Sequence, residues 1–161
     1  MAAPDIDILT QSPLWERIPQ APEVARRALG AMASDADMAG VLRDGGEICL
    51  TLTDDAAIAA LNREWRGKDM PTNVLSFPAP SHPGPQGPRF FGDIVLAFET
   101  VAREAQEQDK EFDAHMAHLV VHGALHLLGH DHVDDEEAER MEALETRILA
   151  AIGIADPYAA G

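Results

Sequence analysis

Cysteine is nearly absent: Cys49 is the single one in 161 residues, so the chain can form no internal disulfide and offers no cysteine-based zinc ribbon. Positive charge is scarce as well, with 12 Lys plus Arg against 28 Asp plus Glu and a formal net charge of −16. A field of that sign repels a polyanion and excludes diffuse binding of nucleic acid. No apolar run approaches the about 20 residues that span a bilayer. The opening residues, MAAPDIDILT, lack the basic flank and apolar stretch of a secretory signal. Hydrophobic residues make up 46%, which excludes a disordered acidic tail. The reading that follows is one domain over residues 1–161, long enough to bury roughly two thirds of its unfolded surface, with no membrane association and a cytoplasmic location.

The charge is unevenly spread. Residues 1–60 hold four basic and ten acidic side chains, and residues 92–147 hold four and fifteen. Between them, residues 61–91 carry Arg63, Arg66, Lys68 and Arg89 against Glu64 and Asp69, a net of +2. That strip is the one stretch of the chain suited to hold a short run of phosphates; the alternative for Arg63 and Arg66 is a solvated helix face.

Hydrophobic periodicity divides the chain into strands first and helices last. Strands are expected over Asp5–Leu9, Glu47–Thr53, Val74–Phe77 and Phe90–Phe98. Helices are expected over Pro22–Met32, Asp55–Trp65, Glu99–Gln108, Glu111–Leu128 and Asp135–Ile152. Asp54 and Gly67 bracket the second helix, whose apolar face would be Ile58, Leu61 and Trp65. Asp134 with Glu137 makes a capping-box variant at the last. Residues Pro78–Pro88 hold five of the eleven prolines and read as a long loop, a possible flap. The class is α+β, a small mixed sheet of about four strands packed by about five helices.

Six of the seven histidines fall between residues 115 and 132. On a helix, His122 and His126 stand one turn apart and within about 40° of each other, the i, i+4 arrangement that lets two imidazoles reach one ion. Gly129 is placed to stop the helix in a left-handed turn and let His132 return to the same ion. Three neutral nitrogens with a fourth position for water describe a catalytic zinc site on the C-terminal part of a helix and the turn after it. His130 is a poor ligand, lying about 12 Å along a continued helix from His122; His118 reads as a polar neighbour, and His115 as packed or solvated.

Zinc peptidases of similar spacing carry Glu after the first histidine as general base, whereas this chain has Gly123. Peptide hydrolysis thus lacks its usual base. Phosphodiester cleavage depends on it less, because a cation can neutralise the charge that develops on phosphate. Arg66, Lys68 and Arg89 are the cations at hand, and the planar fork of Arg66 suits phosphate oxygens best.

The segment His122-Gly-Ala-Leu-His126-Leu-Leu-Gly129-His130-Asp131-His132 resembles the signature of YbeY-type endoribonucleases, the bacterial rRNA maturation factors. Leu61-Asn62-Arg63-Glu64-Trp65-Arg66 through Asn73-Val74-Leu75-Ser76-Phe77-Pro78, Gly92-Asp93-Ile94, and the tail from Met141 to Asp156-Pro157-Tyr158 extend the likeness from about residue 47 onward. The resemblance implies an α+β fold and a zinc-dependent endoribonuclease specific for single-stranded RNA, acting in 16S rRNA 3′-end maturation and ribosome quality control. It implies one zinc ion held by His122, His126 and His132, Arg66 as the catalytic arginine, and the 16S precursor and small ribosomal subunit with its assembly factors as partners. Arg63, Lys68 and Arg89 are added from the charge pattern as substrate contacts. Asn73 stands where the family usually has Asp, and His130 where it usually has Tyr. The rival readings are a zinc metallopeptidase with a base recruited from elsewhere, and a non-catalytic ribosome-binding module with a structural zinc.

Overall fold

A computed structural model of the chain describes residues 5–40, 42, 46–79, 90–130 and 134–158. Four strands, β1 (Asp5–Thr10), β2 (Glu47–Thr53), β3 (Val74–Pro78) and β4 (Phe90–Ala97), form one sheet in the order β1-β2-β4-β3. β1 pairs parallel with β2 and β2 parallel with β4, while β3 runs antiparallel on the outer edge of β4. Five helices complete the fold: α1 (Ala21–Ser34), α2 (Asp55–Arg66), α3 (Phe98–Glu107), α4 (Phe112–Leu127) and α5 (Asp135–Ala150). This is the expected mixed sheet and helix set, with Phe98 opening α3 rather than ending β4. The expected loop lies mostly outside the described residues, which resume at Phe90.

Local chemistry sets several of these boundaries. Asp54 accepts the Ala57 N–H at 2.9 Å, and Gly67 closes α2 at φ 69°. Asp134 accepts the Glu137 N–H at 2.8 Å, satisfying an orphan donor at the start of α5. Asp135, Glu136 and Glu137 follow in that first turn, where the helix dipole favours negative charge.

The period-two alternation of the strands sorts their side chains onto two faces. Ile48, Leu50, Leu52, Ile94 and Leu96 face the larger core, shared with α1, α3, α4 and α5. Val95, Ala97 and Leu75 face the other way, against Ile58 of α2. Trp15 anchors the larger core, donating from its indole nitrogen to the Thr53 carbonyl at 2.8 Å and meeting Phe98 and Phe112 edge-on. α4 lies in the middle of that layer, and ten of its residues are buried, including Val120, Val121, Ala124 and Leu125. Among the described residues, no helix is long and apolar enough to cross a membrane.

One expected apolar face is corrected. Ile58 of α2 is fully buried, but Trp65 is 65% exposed, and the second buried position is Asn62. The Asn62 amide donates to the Met70 carbonyl at 2.9 Å, tying the chain after α2 back to the helix. Trp65 lies in the helix's last turn, where its ring meets Phe77 edge-on, at a centroid distance of 6.2 Å.

α5 is fastened to the turn after α1 by charge. Arg147 donates from Nε and Nη2 to the two oxygens of Asp35 at 2.7 and 2.8 Å, and from Nη2 to Asp37 at 2.6 Å. The bidentate Arg147 bond holds the Asp35 carboxyl below its ordinary 3.8. A carboxyl depressed in the folded state stabilises above its ordinary value, and that contribution fades as pH falls through the folded one. Because Arg147 is half exposed and screened, Asp35→Asn is expected to cost about 1 kcal/mol near neutral pH. Denaturant melts should show that gap narrowing below about pH 4; a gap indifferent to pH would mean the pair contributes packing alone.

Candidate metal centre and cleft

The site is built on the last turns of α4, and its position depends on how closely that helix meets the sheet. Gly123 faces β3 and β4, where an added Cβ would stand 3.0 Å from Ser76 Oγ and 3.1 Å from Ile94 Cγ2. The Gly123 carbonyl accepts the Ser76 hydroxyl at 3.1 Å, so the contact is bonded as well as tight. A side chain at this position would require Ser76 and Ile94 to give by a few tenths of an ångström. The place where zinc peptidases keep their base is thus a tight, hydrogen-bonded contact between helix and sheet. The helix ends as its glycine demands: Gly129 adopts φ 96°, and the His130 N–H bonds back to the Leu125 carbonyl at 3.0 Å.

His122 and His126 lie on the cleft side of α4, with their Nε2 atoms 3.1 Å apart. Two nitrogens bound tetrahedrally at about 2.0–2.1 Å from zinc would be about 3.3–3.4 Å apart, so the pair is spaced as one edge of such a site. The other nitrogen of His122 is held from behind. Its Nδ1 lies 2.6 Å from Glu145 Oε1, and Glu145, on the inner face of α5, has no solvent exposure. Burial pushes the Glu145 carboxyl up, but hydrogen bonds to His118, His122 and Tyr158 outweigh it and hold the group down at about 2. An ionised carboxylate only accepts, so His122 carries its proton on Nδ1 and turns the Nε2 lone pair toward His126 and the cleft.

His118 and Tyr158 complete the support. The Tyr158 hydroxyl donates to Glu145 Oε2 at 2.5 Å, and His118 Nε2 lies 3.2 Å from that hydroxyl and 3.5 Å from Glu145 Oε1. Burial, then the hydrogen bond to Glu145, pushes the Tyr158 hydroxyl up, so it stays a donor. The tail that presents Tyr158 is itself tied down, Lys110 donating to the Pro157 carbonyl at 2.9 Å and Asp156 accepting the Tyr158 N–H at 2.8 Å. His118, His122 and Glu145 bring one ligand atom each within 4.8 Å of one another and could hold a metal ion. The 2.6 Å between His122 and Glu145 is a hydrogen-bond distance too short for two ligands of one ion, whereas the 3.1 Å of the His122 and His126 Nε2 pair, itself within hydrogen-bond reach, is close to the spacing of two ligands.

In front of the two histidines is a cleft of about 480 Å³, lined by Arg66, Asn73, Ser76, His122, His126 and His130, among others. Arg66 is exposed at the end of α2, and its Nη2 donates to the Ser76 carbonyl at 3.3 Å, which aims the guanidinium along the cleft wall. Asn73 is fixed by donating to Glu104 at 2.9 Å and accepting the Val74 N–H at 2.6 Å. Glu104 also meets His115 at 2.9 Å, and His115 is buried rather than solvated. Burial pushes the His115 imidazole down despite that partner.

The structure thus gathers Arg66, His122 and His126 around one cleft, with His130 at its edge. Arg63 stands outside the lining, paired with Asp69 at 3.3 Å. Lys68 is exposed beyond the end of α2. His132, Asp131 and Arg89 lie outside the described residues. Sequence reasoning gave no role to Glu145 or Tyr158. A signal for Glu145 was available: it shares the buried face of α5 with Met141, Leu144, Ile148 and Leu149, and an acid on an apolar face requires a partner. Nothing local pointed to Tyr158.

A family model described as "Endoribonuclease YbeY" matches residues 16–153. An endoribonuclease YbeY of Azorhizobium caulinodans is 53% identical over 155 residues, covering 96% of each chain. One from a Bradyrhizobium species is 51% identical over 160 residues, covering 97% of this chain and 93% of the relative. Among solved structures, a Thermotoga maritima protein shares the fold with a TM-score of 0.50 at 23% identity, over 97% of this chain and all of the other. With a match over most of its length and half its residues shared with these relatives, the chain belongs to the endoribonuclease YbeY family.

Proposed function

We propose that residues 1–161 act as one zinc-dependent endoribonuclease domain that cleaves phosphodiester bonds in single-stranded RNA. The observation that carries this reading is the convergence of the His122 and His126 Nε2 atoms with the Arg66 guanidinium on a single cleft. His122, His126 and His132 would hold one zinc ion. When bound, zinc supplies Lewis-acid chemistry, polarising a phosphate oxygen and making water nucleophilic near neutral pH.

The protein's own groups do the remainder. Glu145 fixes the tautomer and direction of His122 and raises its basicity as a ligand. Arg66, steadied by the Ser76 carbonyl, offers two parallel N–H donors to the non-bridging oxygens of a phosphodiester and offsets the charge that grows there. Asn73 and His130 present polar groups to the same space. Gly123 leaves no carboxylate beside the first histidine, which favours phosphodiester over peptide chemistry. With a net charge of −16 on the chain, the approach of RNA is confined to the basic segment around Arg63, Arg66, Lys68 and Arg89. Family membership supports the finer reading: a cytoplasmic enzyme working on the 16S rRNA precursor, in company with the small ribosomal subunit and its assembly factors, in 3′-end maturation and ribosome quality control.

Two sets of variants test this. His126→Ala should lose bound zinc in elemental analysis, and Glu145→Gln, which keeps shape but not charge, should weaken zinc affinity about 10–100-fold in a chelator competition. Full retention by His126→Ala would remove that histidine from the ligand set. Arg66→Glu should keep fold and zinc while cleavage of a single-stranded RNA falls about 10²–10³-fold or more; unchanged turnover would take Arg66 out of the reaction.

A further inference from the structure

Trp65 is a large aromatic side chain left 65% in water on a chain with few aromatics, and no part of the metal centre uses it. Its surroundings are specific. Arg66 follows it and lines the cleft, and Phe77, which its ring meets edge-on, stands between the cleft residues Ser76 and Pro78. Strand alternation puts Phe77 on the α2 face of β3, opposite cleft-lining Ser76, so Trp65 lies across this edge strand from the metal centre. It is joined to the cleft through the adjacent Arg66, which bonds to the Ser76 carbonyl. Arg63, which pairs with Asp69, and Lys68 flank it in sequence within the one segment of net positive charge, and Met70 of the same segment is 57% exposed.

An exposed indole beside guanidinium and ammonium groups matches the two halves of a nucleotide, a flat base and an anionic phosphate. Proteins that track single strands combine these features, aromatic rings for successive bases and cations for the backbone. In a duplex the base faces are covered by their neighbours, so the same indole finds nothing to stack on. We propose that Trp65 is the base-stacking residue of the substrate groove, receiving a base of the strand whose phosphate lies at Arg66, and that it contributes to the preference for single-stranded RNA. The proposal rests on the endoribonuclease reading and adds to it the residue that recognises the unpaired state.

The chain's own tryptophans supply the probe. Trp15 is 3% exposed and bonded to Thr53, and Trp65 is the other one, so quenching by an added strand reports on Trp65. The zinc-loaded protein is mixed in a stopped-flow cell with a single-stranded oligo(A) of about ten nucleotides, within the ~4–16 that such grooves cover. The quench is read before turnover and compared with that of the matching RNA duplex. Single strand should quench and duplex should not. Trp65→Ala should weaken binding of the single strand, measured by anisotropy of an end-labelled oligo(A), about five- to 150-fold. It should raise KM more than it lowers kcat, with zinc content and melting temperature unchanged, and Trp65→Phe should restore most of the affinity. Absent quenching while the wild type cleaves the same oligonucleotide, or wild-type affinity in Trp65→Ala, would overturn the stacking role and leave the endoribonuclease reading standing. Equal quenching by duplex would likewise overturn it. A wild type that neither binds nor cleaves single-stranded RNA would bring down both.

Discussion

A carboxylate with no access to water sits where α4, α5 and the C-terminal tail meet, and the site depends on it. Burying an ionised carboxyl costs several kcal/mol unless its oxygens are fully engaged. Glu145 meets that demand by facing His122 and His118 from one helix and Tyr158 from the tail. Each partner is oriented in return. The bond to His122 turns one face of that ring toward the cleft, and the bond to Tyr158 pins a segment that would otherwise have little core to hold it. Removing the carboxylate would leave three polar groups looking for partners in a space that has none to spare.

The close approach of α4 to the sheet is the second constraint, and it explains why the chemistry takes one form rather than another. Even a methyl group at Gly123 would press to 3.0 Å from Ser76 Oγ and 3.1 Å from Ile94 Cγ2. A residue that looks like a missing catalytic base in the sequence is, in three dimensions, the contact that lets the helix rest on Ser76 and Ile94. The reactive face must then be furnished from other elements, and Arg66 at the end of α2 is brought across by the Ser76 carbonyl.

Much of this was legible in the sequence. Strand alternation, Asp54 and Asp134 as caps, and Gly129 as a left-handed stop all express local rules, and the structure keeps them. The spacing of His122 and His126 fixed their shared face, since a helix allows only one outcome for i, i+4. What escaped is what depends on tertiary placement. Trp65 has the right period for the buried face of α2, but it falls in the last turn, where Asn62 and the Met70 carbonyl turn the chain away and leave it in solvent. Glu145 and Tyr158 meet across the fold, through helix packing and tail docking that no window of a dozen residues contains.

The place of β3 in the sheet has one more consequence. β2 and β4 are each paired on both sides, through partners such as Asp5 with Glu47 and Glu47 with Phe90, whereas β1 and β3 form the two margins, β3 with β4 as its single ladder partner. A border strand opens locally at a smaller free-energy cost than the strands it flanks. Because Val74 and Ser76 form one wall of the cleft, that wall is a sheet margin, held by β4 on its inner side and by the bond from Ser76 to Gly123 of α4. The ligand donors thus stand on a helix enclosed by the core, while the wall that faces them belongs to the outer border of the sheet.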